Sequence, residues 1–204
     1  MGSTRIAVAI TCFNRREGTL TALRLLFAQR LPTNTQLTVF LLDAGSDGTT
    51  QAVRCEFPTV RLLRGNPALF WNAGMRVAFG EALQENFDHY IWLNDDTHLY
   101  SDAVSRLLAA YHDLLGQGQK RPIVAGSTRD PESHALTYGG IVRSARFYPF
   151  RYRLAVPGEK PVPCHTINGN FVLIPSCQAL HLSAKSTRAR AYGYSQKSGQ
   201  KGPP

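Results

Sequence analysis

Apolar residues along this chain fall into two rhythms that take turns: short continuous runs, and runs spaced three or four apart. Residues 5–11, RIAVAIT, form a continuous run, and Leu20, Leu23, Leu26 and Phe27 then fall on one helical face. A second buried strand is expected over residues 37–43, LTVFLLD. It is followed by a helix in SDGTTQAVRCEF started by Ser46 or Asp47, and by a third strand over residues 60–64. The order repeats with a helix over residues 72–84, a strand over residues 90–93 and a helix capped by Ser101 that runs to Leu115. Beyond RPIVAG the pattern loosens, and YGGIV and NGNFVLIP read as later strands. Strand and helix in this alternation predict an α/β layout, a mostly parallel sheet with helices on both faces.

In open parallel sheets ligands gather at the carboxyl ends of the strands, and here those ends are all polar: TCFNR, DAGSDGT, RGNPALFWNAG and NDDT. Asp43 can accept hydrogen bonds from a nucleobase or ribose, Gly45 and Gly48 allow sharp turns, and Asp47 and Thr49 can cap the next helix. In YIWLNDDTHLY an apolar run ends in Asn94, Asp95 and Asp96, an oxygen cluster suited to a hard divalent cation. Taken singly, DAGSDGT is also an ordinary turn with a helix cap, Asp96 an ordinary N-cap, and Trp71 as much a core aromatic as a pocket wall. It is the combination that points to a ligand. No G-x-G-x-x-G follows the first strand, no G-x-x-x-x-G-K-[ST] occurs, and G-x-S-x-G is missing, which excludes dinucleotide-fold, P-loop and serine-elbow chemistry.

Composition narrows the picture further. With 204 residues and 43% hydrophobic content the chain is expected to form one domain. No apolar stretch reaches membrane-span length and the N-terminus lacks the layout of a secretory signal, so a cytoplasmic location is expected. Cys12, Cys55, Cys164 and Cys177 show no paired metal-ligand spacing, which argues for reduced thiols rather than a zinc site. The formal charge of +9 is uneven, since no acidic residue follows Glu159. Arg143, Arg146, Arg151 and Arg153 interleave with Phe147, Tyr148, Phe150 and Tyr152. That mixture suits phosphates, an anionic membrane surface or nucleic acid, and equally a solvated strand and loop.

Five blocks, AITCFNR, LLDAGSDGTT, NPALFWNAGMRVAF, WLNDDT and NGNFVLIP, together resemble family 2 glycosyltransferases of the GT-A fold, especially bacterial members that build surface polysaccharides. The resemblance covers residues 5–175. It implies a Rossmann-like sheet, a nucleotide-sugar donor, a Mn²⁺ or Mg²⁺ cofactor and hexosyl or rhamnosyl transfer with inversion. The acceptor would be a glycan or lipid-linked glycan, reached by peripheral contact with the anionic inner face of the membrane. By the same resemblance Thr11, Phe13, Asn14 and Arg15 lie along the nucleotide, Asp43 reads base or ribose, and Asn72 and Gly74 line the donor pocket. Asn94, Asp95 and Asp96 match the Asp-x-Asp block with Asn at its first position. Asp96 is then the direct metal ligand, Asp95 a donor-side helper, and Asn168, Gly169 and Asn170 belong to the acceptor side.

One requirement of inverting transfer is not met by these residues. A general base must take the acceptor proton, and the family's Asp or Glu beyond NGNFVLIP has no counterpart after Glu159, where Arg190 and Ala191 precede Tyr192. His165 is a weak substitute. Residues 1–180 are therefore expected to form the GT-A domain and residues 181–204 a basic, poorly ordered tail. The sequence supports a metal-assisted glycosyltransferase, or a non-catalytic sugar-nucleotide-binding remnant lacking the base. A basic nucleic-acid-binding protein is a weaker third reading.

Overall fold

The computed structural model describes residues 2–144, 151–179 and 191–195. Its elements run β1 (Thr4–Cys12), α1 (Arg16–Phe27), β2 (Thr35–Asp43), α2 (Thr49–Glu56), β3 (Arg61–Arg64), α3 (Trp71–Ala82), β4 (His89–Leu93), α4 (Ala103–Gly116) and β5 (Ile123–Arg129). Shorter strands follow: β6 (Leu136–Tyr138), β7 (Gly140–Arg143), β8 (Tyr152–Leu154), β9 (Val162–Cys164), β10 (Thr166–Ile167), β11 (Phe171–Pro175) and β12 (Ala191–Ser195). The main sheet has the order β3-β2-β1-β4-β11-β5-β12-β9, with β6 on the end of β5, and β10-β7-β8 form a small antiparallel sheet. The first four strands are parallel, and β11 enters antiparallel between β4 and β5.

The alternation of β1 decides which helix lies on which face. Ile6, Val8 and Ile10 point to one side, where they meet Leu20, Leu23 and Leu26 of α1, Val53 of α2 and Val104 and Leu107 of α4. Ala7 and Ala9 point to the other, against Met75, Ala78, Phe79 and Ala82 of α3. Small residues on that side let α3 lie close to the strand. At Gly74 the approach leaves no room at all, since a Cβ there would sit 2.4 Å from Thr11 Oγ1.

Two helix starts differ from the sequence expectation. The second helix begins at Thr49, after Gly48 in the left-handed region (φ 83°), while Asp47 Oδ1 accepts from the Thr49 N–H (3.2 Å) and hydroxyl (2.6 Å). The fourth is capped not by Ser101 but from outside its own segment: Gln29 Oε1 accepts from the Val104 N–H (3.0 Å), and Gln29 Nε2 donates to the Leu25 and Tyr100 carbonyls. A tertiary cap of this kind leaves no local sequence signal.

The described residues also include one segment beyond residue 180. Ala191–Ser195 pairs parallel with β5 and antiparallel with β9, as β12. Tyr192 and Tyr194 give this segment strand propensity that its basic surroundings mask. Of the basic-aromatic stretch, residues 145–150 lie outside the described residues, and Arg143 of β7 pairs with Tyr152 of β8. Among the described residues no helix is long and apolar enough to cross a membrane.

His89, at the start of β4, is buried with Nδ1 unpartnered and packs edge-on against Tyr111. Burial lowers its pKa to about 4, opposed by nearby Asp88 and reinforced by His112. The fold therefore prefers the neutral ring. Stability is fully present above the unfolded value near 6.5 and falls as pH drops toward 4, by on the order of 2–3 kcal/mol. A His89→Leu variant should flatten this part of the stability-against-pH curve. Denaturant melts at pH 7, 5.5 and 4 that run parallel for parent and variant would count against it.

Candidate functional site

The chain leaves β1 toward β2 and β3 on one side, then returns through α3 to β4 on the other. The crevice between the carboxyl ends of β1 and β4 is therefore the switch point of the sheet, where open α/β folds bind ligands. Residues 11–15 and 94–96 meet there.

The loop after β2 is organised by a single carboxylate. Asp43 is 1% exposed. Its Oδ1 accepts from the Gly45 N–H (2.8 Å) and the Cys12 thiol (3.7 Å), and its Oδ2 accepts from the Thr50 N–H (3.1 Å) and hydroxyl (2.6 Å). Burial first, and then the Asp43 charge, push the Cys12 thiol far above its usual range, so it stays a donor. Arg64 reaches the same carboxylate from β3 at 3.9 Å. With both oxygens spent inside the fold, Asp43 in this structure positions the loop. Asn14, at φ 51°, accepts from the Ser46 N–H (2.8 Å) and ties the β1 and β2 loops together. This close approach requires Gly45, whose Cβ would fall 2.6 Å from Asn14 N.

Arg15 crosses the crevice to the end of β4. Its Nη1 lies 2.6 Å from Asp96 Oδ2 and 3.4 Å from Asp95 Oδ1. The two carboxylates are not equivalent. The Asp96 side chain is 49% exposed, whereas Asp95 is buried and its Oδ2 has no partner. Burial raises the Asp95 carboxyl to about 6, against the pull of Arg15 and with a further push from the Asp96 charge.

The remaining expected residues divide into two groups. Thr11 is buried against Gly74, Phe13 is 51% exposed, and Asn72 lies exposed in the first turn of α3. Asn94 has partners of its own: its Oδ1 accepts from the Trp71 indole N–H (2.8 Å), and its backbone N–H donates to the Asn170 carbonyl (2.9 Å). The segment of Asn168, Gly169 and Asn170 thus abuts the end of β4, with the Asn168 N–H donating to the Gly139 carbonyl (3.1 Å). His165 belongs elsewhere, between β9 and β10, where its N–H donates to the Ile141 carbonyl and its Nδ1 accepts from the Arg143 N–H (3.4 Å). Trp71 is the site residue that sequence reasoning left undecided. Its place directly before Asn72 was the available signal.

The carboxylate pair fits a small divalent cation. A guanidinium already seated on both side chains shows that the spot attracts positive charge, and a buried carboxylate oxygen is left over. Among the described residues no group of three or more His, Cys, Asp or Glu side chains could hold a metal ion. A cation here would draw its other ligands from bound phosphates and water, as Mg²⁺ commonly does. A separate cavity of about 680 Å³ is lined by side chains of α1 and α2 and includes neither Asp95 nor Asp96. Its Arg24 and Glu56 are spent on each other at 2.6 and 2.7 Å.

No family model and no curated protein matches the sequence. Solved structures match it in fold. One is S. aureus TarS 1-349, at 12% identity and a TM-score of 0.60, over 94% of this chain and 60% of that one. A second is the same protein in complex with UDP-GlcNAc, at 11% identity and a TM-score of 0.59, over 97% and 60% of the two chains. A third is the mannosyltransferase PcManGT from Pyrobaculum calidifontis in complex with GDP-Man and Mn²⁺, at 16% and 0.54, over 88% and 47%. This chain spans about 60% of the length of TarS 1-349. The architecture is the GT-A fold, a mostly parallel Rossmann-like sheet with helices on both faces.

Proposed function

We propose that this chain binds a nucleoside diphosphate sugar at the β1/β4 crevice and passes the sugar to a hydroxyl acceptor, as an inverting, metal-assisted glycosyltransferase. The observation that carries the reading is the Asp95–Asp96 pair at the switch point with Arg15 seated across it. The TarS complex with UDP-GlcNAc and the mannosyltransferase complex with GDP-Man and Mn²⁺ support it through the shared fold. The family 2 assignment, a polysaccharide or lipid-linked acceptor and a place at the inner face of the membrane belong to the same proposal, as do residues 1–180 as its domain.

Each residue has a physical task in this reading. Departure of a nucleoside diphosphate builds negative charge on its phosphate oxygens, and groups that meet that charge lower the barrier. Asp95 and Asp96 would hold the cation, which when bound neutralises part of that charge. Arg15, a long and half-exposed side chain, can leave the carboxylates at little cost and turn to a phosphate. The first turn of α3, preceded by Phe70 with no capping side chain, starts at Trp71 beside Asn94, so its N–H groups and positive dipole end would be open to an anion there. Titration with UDP-GlcNAc and GDP-mannose, in Mn²⁺ and in EDTA, tests the proposal. Tighter binding with Mn²⁺ is expected, and equal binding in both would defeat it.

Arg15 and a cation compete for the same oxygens before nucleotide arrives. Arg15→Gln should raise the affinity for Mn²⁺ alone by roughly tenfold, because a positive charge next to the seat is gone. Binding of the diphosphate should weaken in the same variant. Paramagnetic resonance of free Mn²⁺ reads the first effect, and unchanged Mn²⁺ affinity would show that Arg15 does not occupy the seat.

A second reading, a sugar-nucleotide binder without transfer, would follow if no general base serves the acceptor; residues 160–204 hold no acidic residue. Loss of a general base typically costs about 10²–10⁴-fold in rate. Donor binding with no detectable transfer to glycan acceptors would select this reading. Turnover at ordinary rates would reject it and make His165 and Glu159 the residues to replace.

A further inference from the structure

Trp71 combines two properties that rarely coincide, since it is 42% exposed and yet held at two edges. The indole N–H donates to Asn94 Oδ1 at 2.8 Å, and Asn94 is itself tied to the Asn170 carbonyl. The opposite, benzo edge lies on Gly169, where a Cβ would fall 2.5 Å from Cη2 and 3.0 Å from Cζ2. A glycine is therefore required against the ring, and two separate segments fix its plane. An aromatic that serves the core buries its ring, and an exposed one with no task swings freely. A clamped and exposed ring is a preformed contact surface.

We propose that Trp71 is a stacking platform for a pyranose ring. The C–H bonds on one face of such a sugar carry partial positive charge and suit the negative face of an indole. Position selects the sugar over the base. Trp71 is hydrogen-bonded to the residue directly before Asp95, so its ring lies beside the diphosphate end of the site. The sugar is bonded directly to the diphosphate, whereas the base is separated from it by the ribose. Asn72, the next residue in the exposed first turn of α3, carries an amide that a sugar hydroxyl could use. The inference deepens the functional reading above and rests on its placement of the diphosphate.

Asn94 thereby acquires a defined role as a positioning residue. Its amide oxygen, which in the resemblance stands at the first acidic position of the metal block, sets the tilt of the platform.

The chain has two tryptophans, so a Trp92→Phe background makes Trp71 the sole tryptophan, which can be excited selectively over the tyrosines. In this background UDP-GlcNAc, GDP-mannose, UDP and GDP, and soluble N-acetylglucosamine and mannose oligosaccharides are titrated separately. Sugar-bearing probes are expected to shift Trp71 emission. Trp71→Ala, followed by calorimetry, should weaken them by about tenfold while changing UDP and GDP affinity less than twofold. Gly169→Ala, which displaces the ring without removing it, should reproduce the selective loss. A loss confined to nucleotide sugars assigns the donor sugar, and a loss confined to oligosaccharides assigns the acceptor. Equal weakening of UDP and UDP-GlcNAc, or no change in either, overturns the platform, as does failure of the parent to bind any pyranose-bearing probe. If the parent binds oligosaccharides through Trp71 but no nucleotide, the transferase reading falls and the platform stands.

Discussion

A chain carrying both Asp95→Asn and Asp96→Asn should bind a nucleoside diphosphate sugar in Mn²⁺ about 10²–10³-fold more weakly than the parent, and no differently from it in EDTA. The changes keep shape and remove two charges from the only region where β1 and β4 bring Arg15 to a carboxylate pair among the described residues. Loss of an outer-shell partner alone typically costs about 10–100-fold in metal affinity, so loss of both ligands should exceed that. The effect has a pH signature. A cation needs the ionised carboxylate, and burial puts the Asp95 carboxyl at about 6, so the parent's Mn²⁺ affinity should decline as pH falls through that value. The double variant should show no such slope. Because the raised value means that the fold disfavours the Asp95 charge, Asp95→Asn alone should leave the melting temperature at pH 7 unchanged or higher. Retained Mn²⁺ dependence in the double variant, read by calorimetry, would remove the pair from the site.

Asp43→Ala is expected to be the most destabilising single change among the polar site residues, at about 3–6 kcal/mol. The N–H groups of Gly45 and Thr50 and the Thr50 hydroxyl would each lose a buried acceptor, at about 1–3 kcal/mol apiece. Asn, which keeps one oxygen, should recover part of the loss. Chemical denaturation with an unchanged m-value separates this from a change in the unfolded state. If Ala is tolerated within about 1 kcal/mol, the loop does not depend on Asp43, and its freed oxygens become available to a ligand after all.

How much of this could be read from the sequence follows from how local each cause is. The β-strands of the first half are set by continuous apolar runs, and RIAVAIT, LTVFLLD and the run ending at Leu93 became β1, β2 and β4 within a residue or two. Their polar ends could be named for the same reason. What could not be read depends on side chains reaching across the fold. Gln29 lies beyond α1 and caps α4, and Arg15 lies 80 residues from Asp95. Asn94 looked like part of an oxygen cluster until Trp71 took its carbonyl. Nothing in DAGSDGT reveals that the loop after β2 satisfies both oxygens of Asp43. The tail strand was hidden by charge, since a basic stretch reads as solvated and only the partner strands β5 and β9 make Ala191–Ser195 a strand.

That last strand bears on the order of events during synthesis. β5 is complete by Arg129, but the partner for Ile123–Ser127 along that edge comes from residues 191–195, while β6 meets only Thr128 and Arg129. As the chain emerges from its N-terminus, the β5 edge waits for more than half its own distance along the sequence before it is closed. Its free N–H and C=O groups are during that interval a template for any passing strand. Closing so long a loop is also slow. The β3-β2-β1-β4 half, built from neighbours in sequence, can assemble first and hold the crevice. Misassembly, chaperone capture and proteolytic nicking should concentrate at the β5 edge, away from the residues that would bind the sugar nucleotide.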